Sequence, residues 1–475
     1  MPRKKGGCGS INHIYKGLGI GYNISNSPVE RPSGLAVNGR KTLADIRAFR
    51  GTFYNPQVVE DLSRAIAPPY DIIDKKRKKT LLSRSPYNIV RLILPQTDGA
   101  PEFWNTSATL FRAWKKGAVL ATDSGPCLYV YRQNFDLPDE GAVSRTGILA
   151  LLRCKDFSSG EILPHEKTFP RTRAERLNLL RACRANFSQI FTVFRDEGEE
   201  ALALLGKTTS TPAFLELRDD EGVGHQLWRV EEEEDVGRLA SILSEKRLII
   251  ADGHHRYETA LNYSKEEPGA AGATHPGAYV SVALFRSEDP GLAILPVHRL
   301  LRKFPLPVEE AKRRLERFFQ MEVVQSDIAD RKGMFKERLE ATGRPAFIMI
   351  TREGATLLVL REGVELNGIL EGPESVRWKS LDVPILHSLV IGEGLGLDAT
   401  GLAEKGDLCF TPWESSVMSA LTEGEVEAAF LVRPTRMDEI WEIAEGGERM
   451  PHKSSYFYPK LPSGLVIYDH ETAFS

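Results

Sequence analysis

A mixed α+β fold in more than one unit is predicted by three observations. Apolar runs of strand length alternate with amphipathic stretches of helix length along most of the chain. With 475 residues the chain is too long for a typical single domain and suggests about two or three. The pattern also changes near Pro307, where a second alternation of charged helices and short strands begins.

Composition narrows the class. The apolar share is 41% and the charged share 27%, as in water-soluble globular chains. A formal net charge of −3 gives no global footprint for nucleic acid, so nucleic acid is not an expected partner. No apolar stretch approaches the roughly 20 residues of a membrane-spanning helix, and no secretory signal is visible. The five cysteines are scattered, with no C-x-x-C pair, which argues against a disulfide framework and a cysteine-rich zinc site. A cytoplasmic location is the simplest expectation.

Residues 1–41 read as an unstructured extension with a basic start, Arg3-Lys4-Lys5. Order is expected from Leu43. In Ala67-Pro68-Pro69-Tyr70-Asp71 two prolines restrict the backbone before an aromatic and a carboxylate, so a rigid loop would hold Asp71 in place; a plain turn reads equally well. A basic helix follows over Lys75–Leu82, then a strand over Asn88–Leu94 ending at Pro95. Trp104–Lys115 reads as a helix, and 128–131 and 145–152 as strands.

Leu163-Pro164-His165-Glu166-Lys167-Thr168 comes next, followed by Arg171, Arg173 and Arg176 at the start of a helix. A carboxylate base beside guanidiniums that hold phosphate would look like this, and so would a surface salt-bridge cluster. It is not a zinc motif, because H-E-x-x-H would need a histidine where Phe169 stands. Residues 213–229 read as a meander and 236–243 as a helix.

Leu248–Ala260, LIIADGHHRYETA, is the most informative stretch. An apolar run of strand length meets Asp252-Gly253, two histidines and an arginine, and helix-forming sequence follows. Strand, tight loop and helix N-terminus present unpaired N–H groups and the positive end of a dipole to an anion. Gly253 would turn with positive φ and let a ligand approach. His254, His255 and Arg256 add hydrogen-bonding or positive groups, and Asp252 suits a divalent metal carried in with a phosphate. The competing reading is a strand-to-helix turn with solvated histidines.

A loop is expected over 266–277 and a strand over 279–285. Ile294–Arg299 places a second His-Arg pair, His298-Arg299, at the end of an apolar run. Beyond Pro307 the expected elements are helices over 308–319 and 334–339, a strand over 321–324, and a hairpin of 347–350 with 356–360 turning at Glu353-Gly354. A helix over 382–395, a strand over 428–432 and a helix over 437–444 follow. Last comes Met450-Pro451-His452-Lys453-Ser454-Ser455-Tyr456-Phe457-Tyr458-Pro459-Lys460-Leu461. Lys453, Lys460 and three aromatics between two prolines suit a loop that closes a site, or an interdomain lid held by aromatic packing.

The chain has no G-x-x-x-x-G-K-[ST], no G-x-S-x-G elbow and no dinucleotide fingerprint. Gly253-His254-His255-Arg256 is instead similar to the phosphate-binding G-x-x-R box of the ParB/sulfiredoxin superfamily. That superfamily includes a nucleotide-dependent free-serine kinase with a similar Asp-Gly-His-x-Arg sequence. Taken together, APPYD at 67–71, NIVRLILP at 88–95, PHEKT at 164–168 with Arg176, IADGHHRYETA at 250–260, LPVHRLL at 295–301 and MPHKSSYFYPKLPSGLV at 450–466 resemble the DUF1015 family over residues 43–470. Ser455 stands where the family is expected to carry threonine, and the N-terminal extension is peculiar to this chain.

The resemblance implies a ParB/sulfiredoxin-like catalytic unit over 42–305 and a smaller α+β unit over 306–475 that carries the closing loop. The leading expectation is phosphoryl transfer from ATP or ADP with Mg²⁺ to a small hydroxyl-bearing metabolite; the serine-kinase likeness makes free serine a candidate acceptor. Gly253, His254, His255 and Arg256 would hold phosphates, and Asp252 would approach the metal. Glu166 or Asp71, with His165 beside them, would orient or deprotonate the acceptor. Arg176, Lys453 and Lys460 would neutralise moving charge. Two alternatives stay open: a metal-dependent hydrolase using Asp252, His254, His255 and His165, and a ParB-like nucleotide switch without turnover.

Overall fold

The structure, a computed structural model, describes residues 44–95, 103–137, 141–168, 170–267, 269, 272, 275–324 and 334–474. The expected extension over 1–41 and the start of order at Leu43 lie outside them. The class is α+β, with a nine-stranded and a six-stranded sheet.

The first sheet uses β1 Ile46–Arg47, β2 Leu128–Leu137, β3 Gly141–Arg153, β4 Ile162–Pro164, β5 Ile190–Phe194, β6 Leu215–Arg218, β7 Gly224–Val230, β8 Leu248–Asp252 and β9 Tyr279–Arg286. Its order is β4-β8-β5-β9-β3-β2-β7-β6, with β1 on β3. The run Leu248-Ile249-Ile250-Ala251 is buried on both faces, which is why it reads as continuous rather than alternating. Even and odd positions feed different cores. Leu248 and Ile250 join a cluster with Tyr257 and Ala260 under the helices, and Ile249 and Ala251 join one with Phe457, Leu461 and Tyr468.

One pairing positions the site. β8 runs parallel to β4, with Leu248 opposite Ile162 and Ile250 opposite Pro164. Parallel strands end on the same side, so the loop after Pro164 and the loop after Asp252 emerge together. A register shift on the β5 side of β8, between Ile250 and Asp252, re-aims the strand end. Helices α1 Phe103–Lys116, α2 Pro170–Cys183 and α3 His254–Glu266 complete the surroundings.

The second sheet comprises β10 His298–Leu301, β11 Phe319–Val324, β12 Ala346–Thr351, β13 Gly354–Leu360, β14 Leu408–Thr411 and β15 Ala428–Leu431. Its order is β11-β13-β12-β15-β10-β14, and β12–β13 is the expected hairpin.

Two expectations are corrected. Asn88–Leu94 is not a strand: Val90–Ile93 is helical, and Asn88 Oδ1 accepts from the Val90 N–H at 3.0 Å. Periodicity does not separate a short buried helix from a strand. The helix over 382–395 is α-helical only over Asp382–Ile385 and widens to a π-helix over Leu386–Gly394. β10 already belongs to the second sheet, and the tail returns to the first unit. Tyr456–Tyr458 pairs with Ala293–Leu295, and Tyr468–Asp469 with Ala185–Asn186. Burial of Phe457, Leu461, Val466 and Tyr468 against the first core drives that return.

Candidate functional site

The strand-loop-helix forms as the residues demand. Gly253 has φ +94° and is the N-cap of α3, which opens at His254. A Cβ there would stand 2.9 Å from Arg256 Nη2, so glycine is required both by conformation and by space. The first N–H groups of α3 lack intrahelical partners, as in any helix, and carry its positive end.

Asp252 is held by two cations. Lys460 Nζ donates to Oδ1 at 2.5 Å and Arg256 Nη2 donates to Oδ2 at 3.0 Å. Burial works to raise the Asp252 carboxyl, but Lys460 and Arg256 outweigh it and hold the group well below the usual carboxylate range. Arg256 Nη1 also donates to Ser188 Oγ and to the Gln189 carbonyl, each at 2.7 Å. Lys460 Nζ lies 4.7 Å from the centre of the Tyr456 ring.

The β4 loop meets this turn through two imidazoles. His165 Nδ1 donates to the Ile250 carbonyl at 2.7 Å, so His165 Nε2 is left to accept from Ser455 Oγ at 3.2 Å. The His165 backbone N–H donates to His254 Nε2 at 3.3 Å. That bond makes Nε2 the acceptor and puts the His254 proton on Nδ1, which faces Glu166 Oε2 at 3.7 Å. Burial and the adjacent His165 push His254 down to about 3, so it is neutral. His165 is pushed down by burial as well, and His255 likewise, mainly by burial.

The Glu166 side chain is 39% exposed. Loss of water raises its carboxyl, but His165, His254, Lys453 and Lys460 together bring it below its ordinary value. It is an ionised carboxylate ringed by positive and hydrogen-donating groups.

Other sequence-predicted residues sit one step away. Arg176 is buried, donates from Nη1 to the Ile93 carbonyl at 2.9 Å and stacks 4.1 Å from the Tyr70 ring centre. Its Nε has no hydrogen-bond partner among the described residues. Asp71, in an exposed turn, shares its electrostatic surroundings with Arg176, His255 and Lys460 rather than bonding to Glu166. Lys453 faces Glu166 without an ion pair within 4 Å among the described residues. The second His-Arg pair does not reach the Gly253 turn: His298 Nδ1 accepts from the Val432 N–H at 3.3 Å, and Arg299 bonds the Lys453 carbonyl.

Sequence reading missed Arg145 and Gln133. Arg145 is fully buried, donates from Nε to Gln133 Oε1 at 2.9 Å and from Nη1 to the Tyr458 carbonyl at 2.9 Å, and also reaches the Pro459 carbonyl. It fixes the loop that delivers Lys460, across the cis Tyr458–Pro459 bond. The available signal was a charge at the foot of an apolar strand.

The residues suit an anion. Asp252 is matched by two cations, leaving the helix terminus, the orphan Arg176 Nε and Lys453 on the positive side. They suit a metal less directly: both Asp252 oxygens are engaged, and no group of three or more His, Cys, Asp or Glu among the described residues is arranged to hold an ion. A broad groove of about 780 Å³ lies elsewhere, along β6 with Phe53, Phe214 and Arg229, and is lined by none of the predicted site residues. Lys460 and Tyr456 line a pocket of about 30 Å³. No described helix is long and apolar enough to cross a membrane.

No curated protein matches the chain. Similar solved structures include a free serine kinase in complex with AMP, 12% identical, with TM-score 0.32, covering 68% of this chain and 93% of that one. A mutant free serine kinase in complex with ADP is 11% identical, with TM-score 0.33 and the same coverage of 68% and 93%. A conserved hypothetical protein from Pyrococcus furiosus is 12% identical, with TM-score 0.32, covering 68% of this chain and 97% of that one. The family model described as "Protein of unknown function (DUF1015)" matches residues 46–384. The span takes in the β4 loop, the Gly253 turn and the second His-Arg pair, and the chain belongs to the DUF1015 family.

Proposed function

We propose that this chain is a nucleotide-dependent phosphotransferase acting on a small hydroxyl-bearing metabolite. One observation carries the reading: a glycine-opened helix N-terminus, already supplied with Lys460 and Arg256, stands beside an ionised Glu166 that lies 3.7 Å from His254 Nδ1.

Phosphoryl transfer asks mainly for positioning and charge stabilisation. The N–H groups at Gly253–Arg256 and the Arg176 guanidinium hold the donor's phosphates. Glu166 accepts the proton of the acceptor hydroxyl as its oxygen bonds to phosphorus. The bridging P–O bond breaks, and the departing nucleotide keeps that electron pair. Lys460 neutralises the departing charge. His165, pinned by Ile250 and Ser455, keeps His254 in the tautomer that faces Glu166. Magnesium would screen phosphate charge; Asp252, doubly paired, suits contact through water rather than direct ligation.

A thermal-shift screen of ATP and ADP with and without magnesium, followed by an acceptor screen that includes free serine, tests the reading. Stabilisation by nucleotide plus turnover of a hydroxyl compound is expected. No stabilisation by any nucleotide would remove it, and stabilisation without turnover of any acceptor would favour the switch.

A further inference from the structure

We infer that Arg299, Lys453 and the flanking His387 form a second anion subsite, which receives a carboxylate or phosphate borne by the acceptor. The inference rests on the phosphotransfer reading and extends it by naming the acceptor as an anionic hydroxyl compound.

Arg299, on β10, is fully buried, and among the described residues no carboxylate pairs with it. Its donors go to neutral acceptors: the Val297 carbonyl, the Lys453 carbonyl at 3.0 Å and His387 Nε2 at 3.3 Å. A guanidinium has five N–H donors, so two remain. A buried charge without a counter-charge is costly, and carbonyls offset only part of that cost. Burial accordingly pushes Arg299 down to about 9.

The neighbours do not supply the missing anion. His387 accepts from Arg299 and is therefore neutral on that nitrogen; it sits in the π-helix over Leu386–Gly394, a widening common at functional sites. Phe410 lies 5.7 Å from the Arg299 guanidinium and 6.4 Å from the His452 ring. Lys453 is held at φ +59°, a left-handed conformation unfavourable for a non-glycine residue. Its ammonium has no bonded partner among the described residues, yet it acts on Glu166.

Glu166 is the carboxylate these groups share with the Gly253 turn: His254 Nδ1 lies 3.7 Å from it, and Lys453 and His452 act on it as well. An acceptor hydroxyl at Glu166 would thus lie near both the phosphate-holding turn and this unmatched positive charge. A molecule carrying an anion a few bonds from its hydroxyl fits both.

Isothermal titration on the full chain, with ADP and magnesium present, would compare L-serine, glycerate and glycerol 3-phosphate with their neutral relatives serinol and glycerol. At least one charged compound should bind tenfold or more tightly than its neutral relative. Serine and glycerate report a carboxylate site, and glycerol 3-phosphate a phosphate site. Lys453→Gln, whose ammonium has no bonded partner among the described residues, should lose that preference, as should Arg299→Lys if it folds. If the neutral relatives bind equally, if ADP binds but no charged compound does, or if Lys453→Gln keeps the preference, the subsite is overturned and the phosphotransfer reading stands. If ADP fails to bind the unaltered protein, the reading itself falls.

Discussion

Lys460 Nζ lies 2.5 Å from Asp252 Oδ1, although 208 residues separate them. The contact joins the tail loop to the turn that opens α3. It also leaves Asp252 with two cations, so the turn favours an incoming anion.

Removing Lys460 should therefore cost both stability and binding. The pair is only 14% and 17% exposed, between a surface bridge worth about 0–1 kcal/mol and a buried one whose disruption costs about 3–5 kcal/mol. Lys460→Met should lose about 1–3 kcal/mol in urea denaturation, and Asp252→Asn with Lys460→Met should lose less than the sum of the single changes. Strict additivity would show that the contact carries no coupling.

Gly253→Ala forces a side chain to φ +94° and into the Arg256 guanidinium at 2.9 Å. The conformational part alone costs about 1–2 kcal/mol. Nucleotide binding should fall more than stability does, because Arg256 must move away from Ser188 and the Gln189 carbonyl. Unchanged ADP affinity in a folded variant would remove the turn as the phosphate holder.

Glu166→Gln keeps the shape and removes the proposed base. Nucleotide affinity should stay within about threefold, while turnover should drop by about 10²–10⁴, the usual worth of a positioned proton acceptor. The cations around Glu166 hold it below its ordinary value, so its titration should not limit any turnover of the unaltered protein between pH 5 and 7. If Glu166→Gln turns over normally, Asp71 becomes the carboxylate to examine.

The local geometry of the turn was legible because the chemistry is local: an apolar strand, a glycine and a helix-forming run specify one another within Leu248–Ala260. Side-by-side placement of His165-Glu166 and the turn was not legible, since it depends on the parallel pairing of β4 with β8 across more than 80 residues. The family resemblance gathered the marked segments but could not say which atoms meet. Asn88–Leu94 misled because the four-residue helix buries Val90, Leu92 and Ile93, an apolar content that a short strand would share. The return of the tail was hidden for a related reason: Phe457 and Tyr468 are apolar in either unit, and only the folded core shows which one they fill.

Stability should fall steeply with acid, because several imidazoles are buried in neutral form. His254, His298 and His470 are each pushed down to about 3, first of all by burial. In the unfolded chain they titrate near 6.5. Above that pH neither state binds the extra protons, and the stabilisation is fully present. As pH falls from about 6.5 toward 3 the unfolded chain takes up protons that the folded one refuses, so stability is lost across that window. Each such histidine adds about 1.4 kcal/mol per pH unit to the slope. Urea midpoints measured from pH 8 to pH 5 should be level at first and then drop sharply below 6.5. His470 has neither ring nitrogen bonded among the described residues, so His470→Phe removes a titrating group without breaking a hydrogen bond. That variant should shed about 1.4 kcal/mol per pH unit from the slope, and an unaltered slope would place the acid sensitivity elsewhere.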